Sequence, residues 1–475
     1  MLTLTDVLEA LTGTRIAAPP IYISEAAIDS RQVIPAAMFV ALPGERVDGH
    51  DYLRDAFQRG AALALIQRQP SEDFPLLDLR GGTLPAGFQP GEGPLCLLVN
   101  DSLAAFQQIA RFWRRRVPGV RVIGITGSVG KSTTKELVAD VLAQRYRTLK
   151  NPGSLNNETS LPITILRLSP GYERAVLEMG FYVPGEIAFL CDLALPQVGL
   201  VTNIGTVHAS RAGSQEAIAR GKAELVQALP PASQGGVAIL NYDDPWVRPM
   251  AEQTQARVFY YGLDPKADLW ADEIESFGLE GIRFRLHHHN ESLILRVPLI
   301  GQHSVHTALR AAAVGLVEGL TWQEVIDGLQ QGNTQLRLTA VRSANGALIL
   351  DDTYNASPES VLAALNLLSE LEGRKIAVLG EMRELGQYEQ QGYRLVGHRV
   401  AEVAQILVTV GQTSVQIAET AMESGFLRSN ILSAPDIPEA VELLRDLLRP
   451  DDVCLIKGAH GMYMGRIVTA LEGER

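Results

Sequence analysis

Short apolar segments alternate with amphipathic segments along most of the chain. Nearly continuous apolar strands separated by helical segments indicate parallel α/β sheets with helices on their faces. The pattern changes character near residues 118 and 330, which predicts three domains at 1–118, 119–330 and 331–475. We therefore expect an α/β protein with a small N-terminal α/β domain, a central parallel-sheet domain and a C-terminal Rossmann-like domain.

Two stretches refine this picture. Alternating apolar and polar residues between about 257 and 300 predict antiparallel strands added to the central sheet. In the last domain, strands alternate with helices that we predict at about 358–372, 391–404, 413–424 and 437–448. Ligands of such sheets bind beyond the carboxyl ends of the strands, where Asp352, Glu381 and Lys457 fall. An arginine cluster at 114–116 closes a helix, and we expect it to be solvated.

Composition narrows the class of protein. The chain has 46% hydrophobic and 20% charged residues, as globular proteins do, and its net charge of −12 argues against a broad nucleic-acid or anionic-membrane surface. Cys96, Cys191 and Cys454 form no CxxC pair, which predicts buried thiols in a reducing compartment. No apolar run approaches the roughly 20 residues of a membrane span, and the N-terminus lacks the basic start of a signal peptide. We expect a cytoplasmic protein without membrane insertion.

The strongest motif is T-G-S-V-G-K-S-T, which follows a buried strand and opens a helix. Its glycines let backbone N–H groups close around phosphate oxygens, and the helix N-terminus adds partial positive charge. The loop is a variant, because the first glycine of the usual GxxxxGK spacing would fall at Ile125. The central domain is therefore predicted to be a P-loop ATPase domain, with ATP bound by Thr126, Gly127, Ser128, Val129, Gly130, Lys131, Ser132 and Thr133.

Further candidates each have a plain structural alternative. Glu178 closes the strand A-V-L-E-M and is either a Mg²⁺ ligand or an ordinary strand-end carboxylate. His208 follows a strand, where a lone histidine is usually structural, and Lys222 lies in a helical segment, where surface lysines are common. Asp352 either faces a ligand or caps the helix that begins at Pro358.

Taken together, the motifs resemble the Mur ligases over nearly the whole chain. The similarity includes the P-loop, L-N-N-E-T-S-L-P (155–162), L-E-M-G (177–180), N-I-G-T-V-H (203–208) and G-K-A-E-L (221–225). It extends to D-S-R (29–31) and to the stretch 39–51. D-D-T-Y-N-A-S-P (351–358) and L-G-E-M-R-E-L-G (379–386) are most similar to the branch that adds D-alanyl-D-alanine.

This resemblance implies an ATP-dependent ligase of peptidoglycan precursor synthesis. Such an enzyme joins D-alanyl-D-alanine to the terminal carboxylate of UDP-N-acetylmuramoyl-tripeptide through an acyl phosphate. The implied cofactors are ATP, Mg²⁺ and a carbamylated lysine derived from CO2. Its partners would be these small molecules and not nucleic acid, and we expect a monomer.

The resemblance also assigns residues. It implies catalytic roles for Lys131, Lys222 and His208. Mg²⁺ would be held by Ser132, Glu178, His208 and Lys222, the last as its carbamate. The ATP site would be completed by His303, Arg337 and Asp352. Substrate binding falls to Ser30, Arg31, Gly44, Asp48, His50, Asn156, Asn157, Tyr354 and Asn355.

Several positions depart from the family pattern. G-x-H-N-x-x-N loses both asparagines, which become Ser304 and Thr307, and K-G-S-R near the end becomes K-G-A-H at 457–460. A-N-P becomes A-S-P at 356–358, and a family histidine falls at Tyr393. Two alternatives therefore stay open. One is a related Mur-type amide ligase that adds a different amino acid or dipeptide, and the other is a non-catalytic P-loop nucleotide-binding protein.

Overall fold

The computed structural model describes residues 1–17, 20–44, 47–91, 93–331 and 338–472. The chain divides into two compact units. The first comprises Met1–Gly124, Tyr146–Gly180 and Glu186–Gln197, and the second Ile125–Arg145, Phe181–Gly185 and Val198–Arg475. Strands and helices are mixed in three sheet-containing regions, which confirms the predicted α/β class. The domain boundaries near 118 and 330 stay predictions.

The N-terminal region is a small parallel α/β layer. Its elements are α1 (Leu4–Thr12), β1 (Ala26–Ala27), β2 (Met38–Val40), α2 (Leu53–Gln58), β3 (Leu63–Ile66), β4 (Leu76–Asp78), β5 (Leu95–Leu98) and α3 (Ser102–Arg116). The strands pair in parallel in the order β1-β2-β3-β5-β4. Buried side chains such as Ile66 and Leu98 form its core, as nearly continuous apolar strands predict.

The prediction for the arginine cluster at the end of α3 is wrong for Arg114. This side chain is 2% exposed, and its guanidinium donates to four backbone carbonyls, those of Ala194 (2.6 Å), Val117 (2.8 Å), Val120 (3.0 Å) and Leu195 (3.4 Å). A guanidinium has five N–H donors and can satisfy several buried carbonyls at once. Arg114 therefore joins the end of α3 to the segments that contain Val120 and Ala194. The physical reason for the error is that helix periodicity alone does not show which face another segment covers.

The middle of the chain contains the P-loop and the elements that precede and follow it in sequence. They are β6 (Arg121–Thr126), α4 (Lys131–Ala143), β7 (Thr148–Lys150), α5 (Leu161–Leu166), β8 (Arg174–Glu178), α6 (Glu186–Ala194), β9 (Val198–Val201), α7 (Ala209–Ala212), α8 (Gln215–Gln227), β10 (Val237–Asn241), β11 (Arg257–Gly262), β12 (Leu269–Ser276), β13 (Ile282–His288), β14 (Glu291–Val297), α9 (Val305–Val317) and α10 (Trp322–Gln331). In the first unit, β7 and β8 are parallel. In the second unit, β9 to β12 are parallel neighbours. The predicted antiparallel addition is present, but it involves β12, β13 and β14 and not β11.

The C-terminal region is doubly wound. Its elements are β15 (Thr339–Arg342), β16 (Leu348–Asp352), α11 (Pro358–Glu370), β17 (Arg374–Leu379), α12 (Glu389–Val403), β18 (Ile406–Val410), α13 (Val415–Glu423), β19 (Ile431–Ala434), α14 (Ile437–Leu447), β20 (Asp452–Lys457) and α15 (Gly465–Leu471). The order is β15-β16-β20-β17-β18-β19, with only β15 antiparallel to its neighbour in this part of the chain. Separate apolar clusters cover the two faces, as predicted for a Rossmann-like sheet.

All three cysteines are buried and free, as expected for thiols that form no disulfide. None of the helices among the described residues combines the length and the apolarity needed to cross a bilayer.

Candidate active site

The P-loop connects β6 to α4 through two glycines in the left-handed backbone region. Gly127 has φ +144° and Gly130 has φ +83°. A Cβ atom on Gly127 would lie 1.8 Å from Thr202 Oγ1, so no larger residue fits. The helix begins at Lys131 without a side-chain cap, which leaves its first amides directed at the loop. Such a helix start is suited to an anion.

The loop is held by the residues that follow β9. Ser128 N donates to Asn203 O (2.9 Å), Val129 N donates to Asn203 Oδ1 (2.9 Å), and Thr202 Oγ1 donates to Val129 O (2.8 Å). Gly205 N donates to Ser128 Oγ (2.9 Å). Sequence reasoning gave Thr202 and Asn203 no role, although Asn203 opens the N-I-G-T-V-H motif. These bonds fix the loop in a shape that can receive phosphate.

Two lysines converge on one carbonyl of the P-loop. Lys131 Nζ donates to Gly127 O at 2.8 Å, and Lys222 Nζ donates to the same oxygen at 2.9 Å. The two nitrogens are therefore within about 6 Å of each other. Lys222 is fully buried, and its Nζ lies 4.7 Å from the centre of the Phe181 ring. The interpretation of Lys222 as an ordinary surface lysine is wrong, since its helix α8 turns it inward.

His208 lies in the same neighbourhood. Its backbone is left-handed (φ +70°), and its Nδ1 lies 2.5 Å from Glu384 Oε2. The pKa of His208 is lowered to about 4, mainly by burial and also by the charges of Lys131 and Lys222, while Glu384 acts in the opposite direction. The imidazole is thus neutral at neutral pH, with Nδ1–H donating to the carboxylate and Nε2 left with its lone pair. This environment suits a ligand or a proton acceptor.

Glu384 is a site residue that sequence reasoning missed. Its backbone is left-handed (φ +64°), and its carbonyl accepts a hydrogen bond from Ser210 N (3.2 Å). Its carboxylate also pairs with Arg211 (3.3 Å). A Cβ on Gly386 would lie 2.9 Å from Ser210 Cα, so the backbone at Gly386 approaches α7 closely. The motif at 379–386 was the available signal, but a contact across 176 residues cannot be read from its letters.

Glu178 belongs to the first unit and ends β8. It is 1% exposed, and its Oε1 accepts a hydrogen bond from Asn156 Nδ2 (2.8 Å) while its N donates to Asn151 Oδ1 (2.9 Å). Asn156 therefore orients this carboxylate. Asn157 instead stabilises the turn before α5, because its Oδ1 accepts a hydrogen bond from Ser160 N (3.0 Å). The predicted substrate roles of both asparagines stay predictions.

At the carboxyl ends of β16 and β20, Asp352 is joined to Lys457. Their side chains are 2.5 Å apart, and Lys457 Nζ also donates to Asn355 O (2.9 Å). His460 Nδ1 lies 3.2 Å from Tyr354 O. The residues 352–355 thus form one cluster with the altered K-G-A-H segment. The alternative that Asp352 caps α11 is wrong, because Ser357 is the N-cap, with its side chain accepting from Ser360 N.

The positions that depart from the family pattern differ in their environments. Tyr393 is fully buried, and its hydroxyl accepts from Met382 N (2.9 Å), so it is part of the core. Ser304 Oγ donates to Ile300 O (2.7 Å). The pKa of His303 is lowered to about 4, mainly by burial and to a smaller extent by the charge of Arg310. Arg337 lies outside the described residues.

Five of the predicted substrate-binding residues, Ser30, Arg31, Gly44, Asp48 and His50, lie in the N-terminal region. Ser30 is buried, whereas Arg31 is exposed and pairs with Asp29 (2.7 Å). His50 Nδ1 lies 2.6 Å from Asp48 Oδ1, and its Nε2 accepts from Gln67 N (3.0 Å), which fixes the neutral tautomer. A Cβ on Gly44 would lie 2.7 Å from Val47 O. Their substrate role stays a prediction.

Three domains of one known protein family match successive parts of this chain. Residues 22–78 match the Mur ligase family catalytic domain, residues 125–315 the Mur ligase middle domain, and residues 336–460 the Mur ligase glutamate ligase domain. A UDP-N-acetylmuramoyl-tripeptide–D-alanyl-D-alanine ligase from Mycobacterium bovis is 35% identical over 94% of this chain and 91% of its own length. The chain belongs to the Mur ligase family.

Other relatives extend the same match. A ligase of the same name from Bacillus subtilis is 33% identical over 99% of this chain and 98% of its own length. The crystal structure of MurF from Acinetobacter baumannii superposes with a TM-score of 0.83 at 28% identity, and 98% of each chain is covered. The prediction of an ATP-dependent Mur ligase from sequence motifs is thereby confirmed.

Proposed function

We propose that this Mur ligase joins D-alanyl-D-alanine to the terminal carboxylate of UDP-N-acetylmuramoyl-tripeptide, using ATP, in the synthesis of peptidoglycan precursors. The relatives named for this reaction span nearly the whole chain. The single observation that carries the proposal is the convergence of Lys131 and Lys222 on Gly127 O beside neutral His208. A protein that only binds nucleotide has no need of this group. We further propose that it acts as a cytoplasmic monomer.

The P-loop residues would bind and orient ATP. On nucleotide binding, phosphate oxygens replace the carbonyls of Gly127 and Ser128 as acceptors for Lys131 Nζ. The first amides of α4 then donate to the same phosphates, and the helix end adds partial positive charge. Because this scaffold is held by Thr202 and Asn203, little reorganisation is needed as charge shifts during transfer.

The positive charge of Lys131 close to Lys222 favours carbamylation of Lys222. Two ammonium groups within about 6 Å repel each other by on the order of 3 kcal/mol at an effective dielectric of about 20. A carbamate at Lys222 is an anion, so it replaces this repulsion with attraction to Lys131. Its N–H can still donate to Gly127 O, and the group therefore fits the environment of this side chain.

Mg²⁺ would be held by Ser132, Glu178, His208 and the Lys222 carbamate. Among the described residues, no three His, Cys, Asp or Glu side chains cluster as a preformed metal site. This agrees with a cation that takes part of its oxygen ligands from phosphates and water. When bound, Mg²⁺ would neutralise charge on the transferred phosphoryl group. Asn156 orients Glu178, and Glu384 orients His208.

The chemistry proceeds in two steps. A carboxylate oxygen of the tripeptide attacks the γ-phosphorus of ATP, which forms an acyl phosphate and releases ADP. The neutral amine of D-alanyl-D-alanine then attacks the acyl carbon, phosphate leaves, and the amine gives up a proton. An acyl phosphate hydrolyses readily, so the residues around it must exclude water. We assign the incoming dipeptide to Tyr354 and Asn355, whose loop is bound to Lys457 and His460.

The function is tested by phosphate release with ATP, UDP-N-acetylmuramoyl-tripeptide and a panel of amines. We expect turnover with D-alanyl-D-alanine to exceed that with L-alanyl-L-alanine, D-alanine or lysine by at least about 100-fold, or ~2.7 kcal/mol. The ligated product should form in equal amount to the phosphate. Dependence on another amine would favour the related amide ligase, and no amine-dependent turnover would favour the nucleotide-binding protein.

A further inference from the structure

Arg310 is a buried arginine to which the mechanism above gives no role. It lies in α9 and is 5% exposed. Its Nε donates to Tyr261 Oη (3.0 Å) and its Nη1 donates to Thr134 Oγ1 (3.2 Å). Both partners are neutral hydroxyls. The guanidinium charge is therefore bound by dipoles and not by an anion.

Asp243 and Asp244, which influence the Tyr261 hydroxyl, have other partners. Among the described residues, Arg310 forms no ion pair with a carboxylate. Asp243 and Asp244 lie close enough to raise the pKa of Tyr261, the hydroxyl partner of Arg310, although burial is the larger cause of that rise. Asp243, however, pairs with His306 (2.8 Å), and Asp244 accepts from the backbone amides of Ile204 (2.9 Å) and Trp246 (2.8 Å). A buried charge without a counter-charge is costly, so an anion from outside the chain is expected.

The position of the guanidinium indicates which anion this is. A Cβ on Gly130 would lie 2.9 Å from Arg310 Nη1, so the guanidinium packs against the last glycine of the P-loop. Thr134, its other partner, is in the first turn of α4 and donates its backbone N–H to Gly130 O (2.9 Å). Arg310 thus adds a positive charge next to the same loop and helix start that would bind the phosphates.

We propose that Arg310 is a nucleotide-affinity residue whose counter-charge is the polyphosphate of the bound nucleotide. It acts through the electric field at the P-loop and through its bond to the first turn of α4. This inference rests on the proposed use of ATP. The inference extends the proposed function, because it assigns part of the affinity for phosphate to a side chain outside the P-loop motif.

The change in melting temperature of the ligand-free protein on replacing Arg310 distinguishes a nucleotide-affinity role from a structural role. A structural arginine stabilises the ligand-free protein, so its removal lowers the melting temperature of that form. An arginine whose counter-charge is the nucleotide is unpaired in the ligand-free protein, so its removal relieves a buried charge. Replacement by a neutral residue of similar length should therefore weaken nucleotide binding without lowering apo stability.

The test measures ADP binding by calorimetry and the melting temperature of ligand-free protein. We expect Arg310→Met to bind ADP about tenfold more weakly than wild type, while Arg310→Lys, which keeps the charge, stays within about threefold. The ligand-free melting temperature of Arg310→Met should be within about 2 °C of wild type or higher. Arg257→Met is the matched control, because Arg257 is exposed on β11, the strand of Tyr261, and should bind ADP as wild type does.

The outcomes are distinct. Equal ADP affinity in wild type and Arg310→Met overturns the inference and leaves the proposed function standing. A wild type that binds no ADP overturns both. If Arg310→Met and a second neutral variant, Arg310→Gln, both melt much lower or fail to fold while Arg310→Lys folds, Arg310 is structural and the inference fails. Weak binding confined to the neutral variants, with apo stability kept, supports it.

Discussion

Replacing Lys131 with Met is expected to lower kcat for ligation by about 10³-fold or more. Lys131 is the residue at the start of α4 whose Nζ reaches the carbonyls of Gly127 and Ser128. In the reaction this cation would bind the transferred phosphoryl group, where charge builds in the transition state. Met keeps the aliphatic stem and removes only the charge and its donors. Steady-state kinetics with all three substrates check the result.

The matched control is Lys266→Met. Lys266 is exposed on the turn between β11 and β12, so loss of its charge should leave kcat within about twofold of wild type. Circular dichroism confirms that both variants fold. A Lys131→Met enzyme that kept more than about a tenth of wild-type kcat would remove this lysine from phosphoryl transfer.

Lys222→Ala is expected to abolish nearly all turnover, to below about 1% of wild type. The side chain is fully buried and shares Gly127 O with Lys131, so the variant loses both the hydrogen bond and the proposed carbamate. Added bicarbonate cannot restore activity, because no amine remains to be carbamylated. Wild type in CO2-depleted buffer should instead lose activity and regain it with bicarbonate.

A buried lysine can also be structural, so a second variant and a direct readout are needed. Lys222→Met keeps most of the volume and should be as inactive as the alanine variant while melting close to wild type. Carbon NMR with ¹³C-bicarbonate should show a protein-bound carbamate that both variants lack. Activity like that of wild type in either variant would exclude Lys222 from the site.

Local sequence patterns predicted the parts of the fold that depend on neighbours in the chain. The helices from 358 to 448 were expected within a few residues of α11 to α14, because apolar periodicity and turn residues set their ends. The P-loop was recognisable because its glycines and lysine must stand in a fixed order on one turn. Asp352 and Lys457 were placed at strand ends, but their ion pair follows from the pairing of β16 with β20.

The remaining features depend on contacts between distant segments. Glu384 meets His208, and Arg310 meets Thr134, each across more than 170 residues. Lys222 looked like a surface lysine because a single helix does not reveal which face its neighbours bury. Arg114 was misjudged for the same reason. Lys222 and Arg114 are both polar, and hydropathy alone favours solvent for such side chains.

The most direct test of the central claim follows an oxygen atom. UDP-N-acetylmuramoyl-tripeptide labelled with ¹⁸O in its terminal carboxylate is incubated with ATP, Mg²⁺, D-alanyl-D-alanine and the enzyme. An acyl phosphate passes one carboxylate oxygen to phosphorus, so mass spectrometry should find one ¹⁸O in the released phosphate for each peptide bond formed. Phosphate without the label would mean that water attacked ATP, which would contradict carboxylate activation at this P-loop.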